Sequence, residues 1–314
     1  MTPTAVVIAQ QDDIHAHAVK VAAGRLGAKA TVLDVQEFTR AYDLSTTIGG
    51  SAADMRIRSR DGSDDLELRE ISGLWWRRPY PPSSKYRQDR PHNVFAVAGD
   101  ERRSALIGSF DGLVPNSFND LGRSRQAAHK PTQLVRASAL GLRIPDTLIT
   151  NDADAVRDFY ERTGGRAIYK MFNGSPFGLY GTRRLERADL DDLDRLQGCP
   201  AMFQEYIEGE YDLRVVVVGD RVFAARLGFE ALTTVVDTRF VETAITAYEL
   251  PREIEERLVE LVAGFGLVYS AIDLRYSEEL GYVFFESNPE GQYLWIEIEA
   301  DLPISQAIAE RLIG

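Results

Sequence analysis

Residues 282–295 read YVFFESNPEGQYLW. Tyr282–Phe285 are apolar, as in a buried strand, yet the run ends in Glu286, Ser287 and Asn288 before breaking at Pro289. Acids are rarely buried without a partner. Strand alternation places Glu286 and Asn288 on one face and Ser287 on the other. Just upstream, SAIDLRY (270–276) is a second apolar strand interrupted by a single acid, Asp273. SEELG (277–281) between them reads as a hairpin turn, so Asp273 and Glu286 can lie side by side across the ladder. Two carboxylates and an amide oxygen converging on one spot form a hard-cation site, suited to Mg²⁺ that takes its remaining ligands from water and substrate phosphates. The competing reading of the same residues is a solvated strand edge with chance carboxylates.

If Mg²⁺ and phosphates meet there, cations and a glycine loop should hold the phosphates. The G-x-x-x-x-G-K-[ST] pattern of P-loop enzymes is absent. Instead YKMFNGSPFGLYG (169–181) puts Lys170 at the end of a strand and follows it with a loop of Gly174, Ser175, Gly178 and Gly181. Glycines let backbone N–H groups approach phosphate oxygens, though loops of this composition are usually only loops. Lys130 stands beside Pro131 at a helix start, where the helix dipole favours an anion; a lone lysine is otherwise simply solvated. In QEYIEGEYDLR (204–214) an apolar strand runs into a short connector. The backbone of Glu205, Tyr206 and Ile207 is placed to meet an adenine edge, and Glu210 to accept from ribose hydroxyls. Arg214 lies within apolar surroundings and needs an anion, either a phosphate or carboxylate of substrate or an ion pair with Asp212 or Glu210.

Composition narrows the field. A chain of 314 residues suits two or three subdomains. A net charge of −12 argues against nucleic acid or an anionic membrane as main partner. An acidic substrate is still allowed where a cleft concentrates arginine. No apolar run approaches the ~20 residues that span a bilayer, and MTPTAVVIAQ at the start lacks signal-peptide character. The single cysteine, Cys199, excludes an internal disulfide and a thiolate metal cage. A cytoplasmic location is the expectation. His15 and His17 point to different helix faces, against a shared metal.

Along the chain, TAVVIA, DDIHAHAVKVAAGRLG and KATVLDV read as strand, helix and strand, without the G-x-G-x-x-G of dinucleotide folds. Residues 48–65 read as a hairpin turning at Asp61–Gly62. Next come a strand carrying Trp75–Arg78, a helix near 95–110, and a strand and loop at DGLVPNSF. From about 119, capped helices alternate with strands: a helix opened by Pro131, a helix in LERADLDDLDRL, a hairpin turning at Gly219–Asp220, and a long amphipathic helix from Pro251. The pattern is α+β subdomains around mixed or antiparallel sheets.

Taken in order, Lys130, Lys170 with its glycine loop, QEYIEGEYDLR, AIDL and FFESNPEG resemble the ATP-grasp superfamily of carboxylate–amine ligases. Within it, LWWRRP, GLRIPDTLIT, VGDRVFAAR, DTR (237–239) and NPEGQYLWIE resemble the microviridin-type peptide ligases, the graspetide or omega-ester/omega-amide group. Pro131 directly after Lys130, and Thr238 where a tryptophan is common, depart from that pattern. The resemblance implies an α+β / α/β ATP-grasp fold: a pre-ATP-grasp α/β domain (1–118), a central lid domain (119–205) and a C-terminal domain (206–314), with ATP between two antiparallel sheets. It implies Mg²⁺ on Asp273, Glu286 and Asn288, Lys130 and Lys170 on the α- and β-phosphates, and Arg214 on the γ-phosphate or the acyl phosphate made from it. Arg77, Arg78, Arg226 and Arg239 become candidates to hold carboxylates of a precursor peptide made of a leader and an acidic core. A homodimer follows by analogy. Two alternatives stay open: a ligase adding free amino acids, as in the ribosomal-protein glutamate ligases that share QEYI, DLR and AIDL, and a non-catalytic ATP- or peptide-binding relative. D-alanine ligases carry arginine where this chain has Ala271.

Overall fold

The computed structural model describes residues 2–35, 37–50, 52–62, 65–78, 94–172, 181–228 and 244–314. The N-terminal third builds β1 (Thr4–Ile8), α1 (Ile14–Arg25), β2 (Lys29–Leu33), α2 (Phe38–Ala41), β3 (Tyr42–Gly49), β4 (Ala52–Ser59), β5 (Leu66–Glu67), β6 (Ile71–Trp76), α3 (Val94–Leu113) and β7 (Ser117–Phe118). β2, β1, β6 and β7 form a parallel sheet in that order. β1 is buried at every position, as a central parallel strand must be. Asp13 caps α1 by accepting the His15 and Ala16 N–H groups at 2.9 and 3.1 Å.

β3, β4 and β5 form a separate antiparallel sheet. Here the expected single hairpin over 48–65 is two: the first turns at Gly50, after Gly49 has paired with Ala52, and Asp61–Gly62 turns the chain onward to β5. The first strand begins at Tyr42, its alternation concealed by serine and threonine on the exposed side.

Next come α4 (Leu121–Ala127), α5 (Lys130–Ala139), β8 (Thr147–Thr150), α6 (Ala153–Arg162), β9 (Ala167–Lys170), β10 (Arg183–Arg184) and β11 (Ala201–Glu205). β10, β9, β11 and β8 make an antiparallel sheet. The helix expected near 185–196 is a 3₁₀ helix, Arg187–Gly198. Leu190, Leu193 and Leu196 recur every third residue, the 3₁₀ period, and all three pack into the core beneath that sheet.

The last part holds β12 (Tyr211–Val218), β13 (Arg221–Gly228), β14 (Ile245–Tyr248), α7 (Arg252–Gly264), β15 (Tyr269–Ser277), β16 (Gly281–Asn288), α8 (Leu294–Glu299) and α9 (Ile304–Ile313). Its five strands pair in the order β14-β13-β12-β15-β16, all antiparallel. One face packs on residues of α4, α5 and α7. The other shares a core with α1, α9 and the parallel sheet, through Val216, Val218, Tyr269, Trp75 and Leu312. The edge strand β16 is therefore covered, and α5 lies beside it rather than with the sheet that follows α5 in sequence.

Candidate active site

The expected pairing is observed: Asp273 on β15 lies directly opposite Glu286 on β16. The register then shifts, because Leu274 pairs with Phe284 and leaves Phe285 as a bulge. That extra residue reverses the parity of β16. Phe284 faces the α5–α7 core beside Leu274, whereas Glu286 emerges on the opposite face with Asp273. A strand that looks buried ends in an acid because a bulge turns its last residues to the other side. Ser287 points back into the core, its Oγ 2.7 Å from Ser270 Oγ.

Gln133 of α5 holds the outer edge of β16 in place. Its amide nitrogen donates to Ser287 O at 2.5 Å, and its oxygen accepts Ser287 N–H at 3.1 Å, between the two candidate ligands. Beyond Asn288, four consecutive carbonyls are each taken by a side chain from elsewhere. Asn119 donates to Pro289 O, Arg77 to Glu290 O, Tyr269 to Gly291 O and Arg214 to Gln292 O. Asn119 also binds the start of β15 through Val268 N–H, Tyr269 N–H and Tyr269 O. Gly291 fits this close approach, since a Cβ there would collide with Ala271 Cβ and lie 3.0 Å from Arg214 Nη2. None of these clamps announces itself in sequence; Asn119 sits in what reads only as a boundary loop.

Cations converge on the two acids. Lys130, at the first turn of α5, donates to Glu286 Oε2. Arg214 on β12 lies opposite Asp273 and donates to its Oδ1 at 2.7 Å. The anion expected for Arg214 is thus Asp273, while Asp212 pairs with Arg275 and Glu210 Oε2 accepts the Glu278 N–H. Burial alone would raise the Glu286 carboxyl, but Lys130 and Lys170 hold it down to about 2. Asp273 is pushed upward, by burial first and then by Glu286, against the pull of Arg214. Lys170, at the end of β9, is lowered to about 8 by burial and by Lys130, with Glu286 and Asp273 opposing. Lys170 therefore belongs electrostatically to the same cluster, although it comes from a different sheet.

The donor set fits a hard divalent cation. Two opposed carboxylates in a partly buried site repel each other, and positive charge removes that penalty. Asn288 Oδ1 accepts Glu290 N–H at 3.0 Å, which orients it and leaves a second lone pair. Among the described residues no three His, Cys, Asp or Glu side chains group as a metal site.

The remaining candidates are dispersed. Glu205 and Tyr206 donate their N–H groups to Asp146 O and Arg166 O, both at 2.9 Å, and Arg184 stacks 4.0 Å over the Tyr206 ring. Ile207 is buried, its carbonyl accepting from Arg275. Arg77 is fully buried, 3.8 Å from Asp13, with Nε and Nη2 lacking hydrogen-bond partners; Arg78 beside it is half-buried. Arg226 lies on the opposite sheet face from Arg214, 4.2 Å over Tyr211, and is not brought to the cluster. Gly174, Ser175, Gly178 and Arg239 lie outside the described residues. His15 Nδ1 accepts Leu294 N–H while His17 Nε2 lies against Gln11 O, so the two histidines part as expected.

Among the described residues no helix is long and apolar enough to cross a membrane. No family model matches the chain, nor does any curated protein. Solved structures do. Over 100% of both chains it is similar to the macrocyclase MdnC of Microcystis aeruginosa MRC, crystallised with the precursor peptide MdnA, at 31% identity and a TM-score of 0.84. A RiPP-associated ATP-grasp ligase of Chryseobacterium gregarium, in complex with ADP and a leader and core peptide, matches at 25% identity and a TM-score of 0.83, over 99% of this chain and 96% of that one. The ATP-grasp ligase PsnB, complexed with a minimal precursor, Mg and ADP, matches at 28% identity and a TM-score of 0.77, over 98% of this chain and 96% of that one.

Proposed function

Since this chain belongs to the ATP-grasp ligases of ribosomally synthesised, post-translationally modified peptides, we propose that it activates Asp or Glu side chains of a precursor peptide and closes them onto Ser/Thr hydroxyls or Lys amines as macrocyclic esters or amides. It is an ATP-dependent peptide ligase using ATP and Mg²⁺. The observation that carries the reading is the opposed Asp273–Glu286 pair, with Asn288 on the same strand face and Lys130, Lys170 and Arg214 around it. Asp273, Glu286 and Asn288 would hold Mg²⁺, which supplies charge neutralisation at the phosphoryl oxygens.

The chain's own residues then position and stabilise. Lys130 would leave Glu286 and, with Lys170, take the α- and β-phosphates. Arg214, already aimed along the sheet face, meets the γ-phosphoryl as it passes to the peptide carboxylate, forming an acyl phosphate and ADP. The hydroxyl or amine attacks the acyl carbon, phosphate leaves, and the nucleophile's proton is lost. Alignment of the reactants carries much of the rate, with no protein nucleophile. The Glu205–Ile207 backbone would meet the adenine edge, Gly174, Ser175 and Gly178 would cover the phosphates, and Glu210 would serve the ribose. Among the arginines considered for the peptide's carboxylates, Arg77 and Arg78 are supported by the Arg77 contact with Glu290 O just beyond Asn288, while Arg226 lies on the opposite sheet face. The division near residue 205 is supported by the separate core of the β8–β11 sheet, whereas α4 and α5 pack on the C-terminal sheet and not on that core. A precursor peptide is the partner; a homodimer and a cytoplasmic location remain part of the proposal.

The test is mass spectrometry of an acidic precursor peptide incubated with enzyme, ATP and Mg²⁺. Loss of one water per bond supports macrocyclisation, and gain of an amino-acid mass refutes it. Glu286→Gln should abolish both the mass change and ATP turnover; rings that still form would refute the metal assignment.

A further inference from the structure

The catalytic scheme leaves Arg275 unused, yet it is among the most completely engaged side chains near the site. It lies on β15 two residues beyond Asp273, on the same face, and is 6% exposed. Nε and Nη2 form a fork on the two Asp212 oxygens at 2.7 and 3.0 Å, and Nη1 donates to Ile207 O at 2.8 Å. Because the guanidinium is planar and rigid, fixing two of its nitrogens on Asp212 fixes the direction of the third. Asp212 belongs to β12 and Ile207 to the connector preceding it, so Arg275 transmits the position of the sheet to that connector. Three further contacts act in the same sense. Glu210 N–H donates to Tyr276 O at 3.0 Å, and Glu210 Oε2 accepts Glu278 N–H at 2.9 Å. A Cβ on Gly209 would collide with Tyr276 O and come within 2.6 Å of Arg275 Cγ. From the other side, Glu205 and Tyr206 are tied to Asp146 and Arg166. The connector is therefore held between two sheets.

We propose that Arg275 is a positioning residue that sets selectivity for the nucleotide base. The inference rests on the reading that the Glu205–Ile207 backbone meets the adenine edge. A backbone reading a base edge must be placed to within about 0.5 Å, and Arg275 supplies that placement without touching nucleotide. Lysine keeps the charge beside Asp212 but lacks the fork, so it cannot hold both Asp212 and Ile207 O in fixed geometry.

The test compares ATP with inosine triphosphate, which differs at the base edge and not in its phosphates, in the wild type and in Arg275→Lys. In the wild type kcat/KM should favour ATP clearly. In Arg275→Lys the KM for ATP should rise about tenfold, the worth of one charged hydrogen bond, with kcat little changed, and the preference for ATP should shrink by a similar factor. A purely structural role would instead lower Tm and the active fraction while leaving the ATP preference intact, and that result overturns the inference. A wild type indifferent to the base overturns the connector reading itself, a different failure. Should Arg275→Lys not fold, Gly209→Ala, whose added Cβ crowds Tyr276 O and Arg275 Cγ, disturbs the same contact between connector and Arg275; undiminished ATP preference in that variant equally overturns the inference.

Discussion

On one face of the five-stranded sheet two arginine–aspartate pairs lie two residues apart with their charges exchanged between strands. Arg214 of β12 faces Asp273 of β15, and Asp212 of β12 faces Arg275 of β15. The first pair has one bond at 2.7 Å between its charges and its side chains are 12% and 37% exposed; Arg214 also donates to Gln292 O, but its Nε is buried with no partner. The second is a two-bond fork, its side chains 8% and 15% exposed, with a third bond to a backbone carbonyl. Identical chemistry is thus left incomplete at one position and closed at the next. An incomplete pair can exchange its partner for substrate and metal, whereas a closed one fixes geometry. A buried pair whose donors are all engaged is costly to break from one side.

Breaking each pair should separate these roles. The largest effect is expected from Arg214→Met. Turnover should fall roughly 10²–10³-fold, the scale of one lost group stabilising transition-state charge, with the thermal midpoint little changed. A large loss of stability with turnover preserved in the folded fraction would reverse the assignment. Asp212→Asn should do the opposite. Leaving Arg275 uncompensated should cost about 3 kcal/mol of folding stability, read by denaturant unfolding, while the surviving folded enzyme keeps most of its kcat. Unchanged stability would show that the fork is not closed in solution.

A subtler probe concerns Lys170, whose ammonium is lowered to about 8 by burial and by Lys130. A phosphate beside it favours the charged form, so its ordinary value near 10.5 should be partly restored when nucleotide binds. ATP binding should therefore take up protons above pH 8, and affinity should weaken as pH rises through that value. Calorimetry in buffers of different ionisation enthalpy measures the uptake. Proton uptake that persists unchanged in Lys170→Met would place the titrating group elsewhere.

How much of this was legible follows from which interactions are local. The opposition of Asp273 and Glu286 could be read because a hairpin with a short turn fixes its own register. The bulge at Phe285 could not, since alternation gives no sign of an inserted residue. Lys130 and Lys170 were visible as cations next to a helix start and a strand end, but their convergence on Glu286 depends on how separate elements pack. Arg214 announced itself as a charge in an apolar strand, yet its ion-pair partner is Asp273 and neither Asp212 nor Glu210, because neighbours in sequence on a strand are not neighbours across a ladder. Asn119, Gln133 and Arg275 stayed hidden for the same reason: each acts on backbone far away in the chain.

The central claim is that this site joins a peptide carboxylate to a nucleophile by way of an acyl phosphate. It is tested most directly by a precursor peptide whose Asp and Glu side-chain carboxylates carry a heavy oxygen isotope. With enzyme, ATP and Mg²⁺, each bond formed should deliver one labelled oxygen into the phosphate released. Bonds formed with unlabelled phosphate would contradict the account.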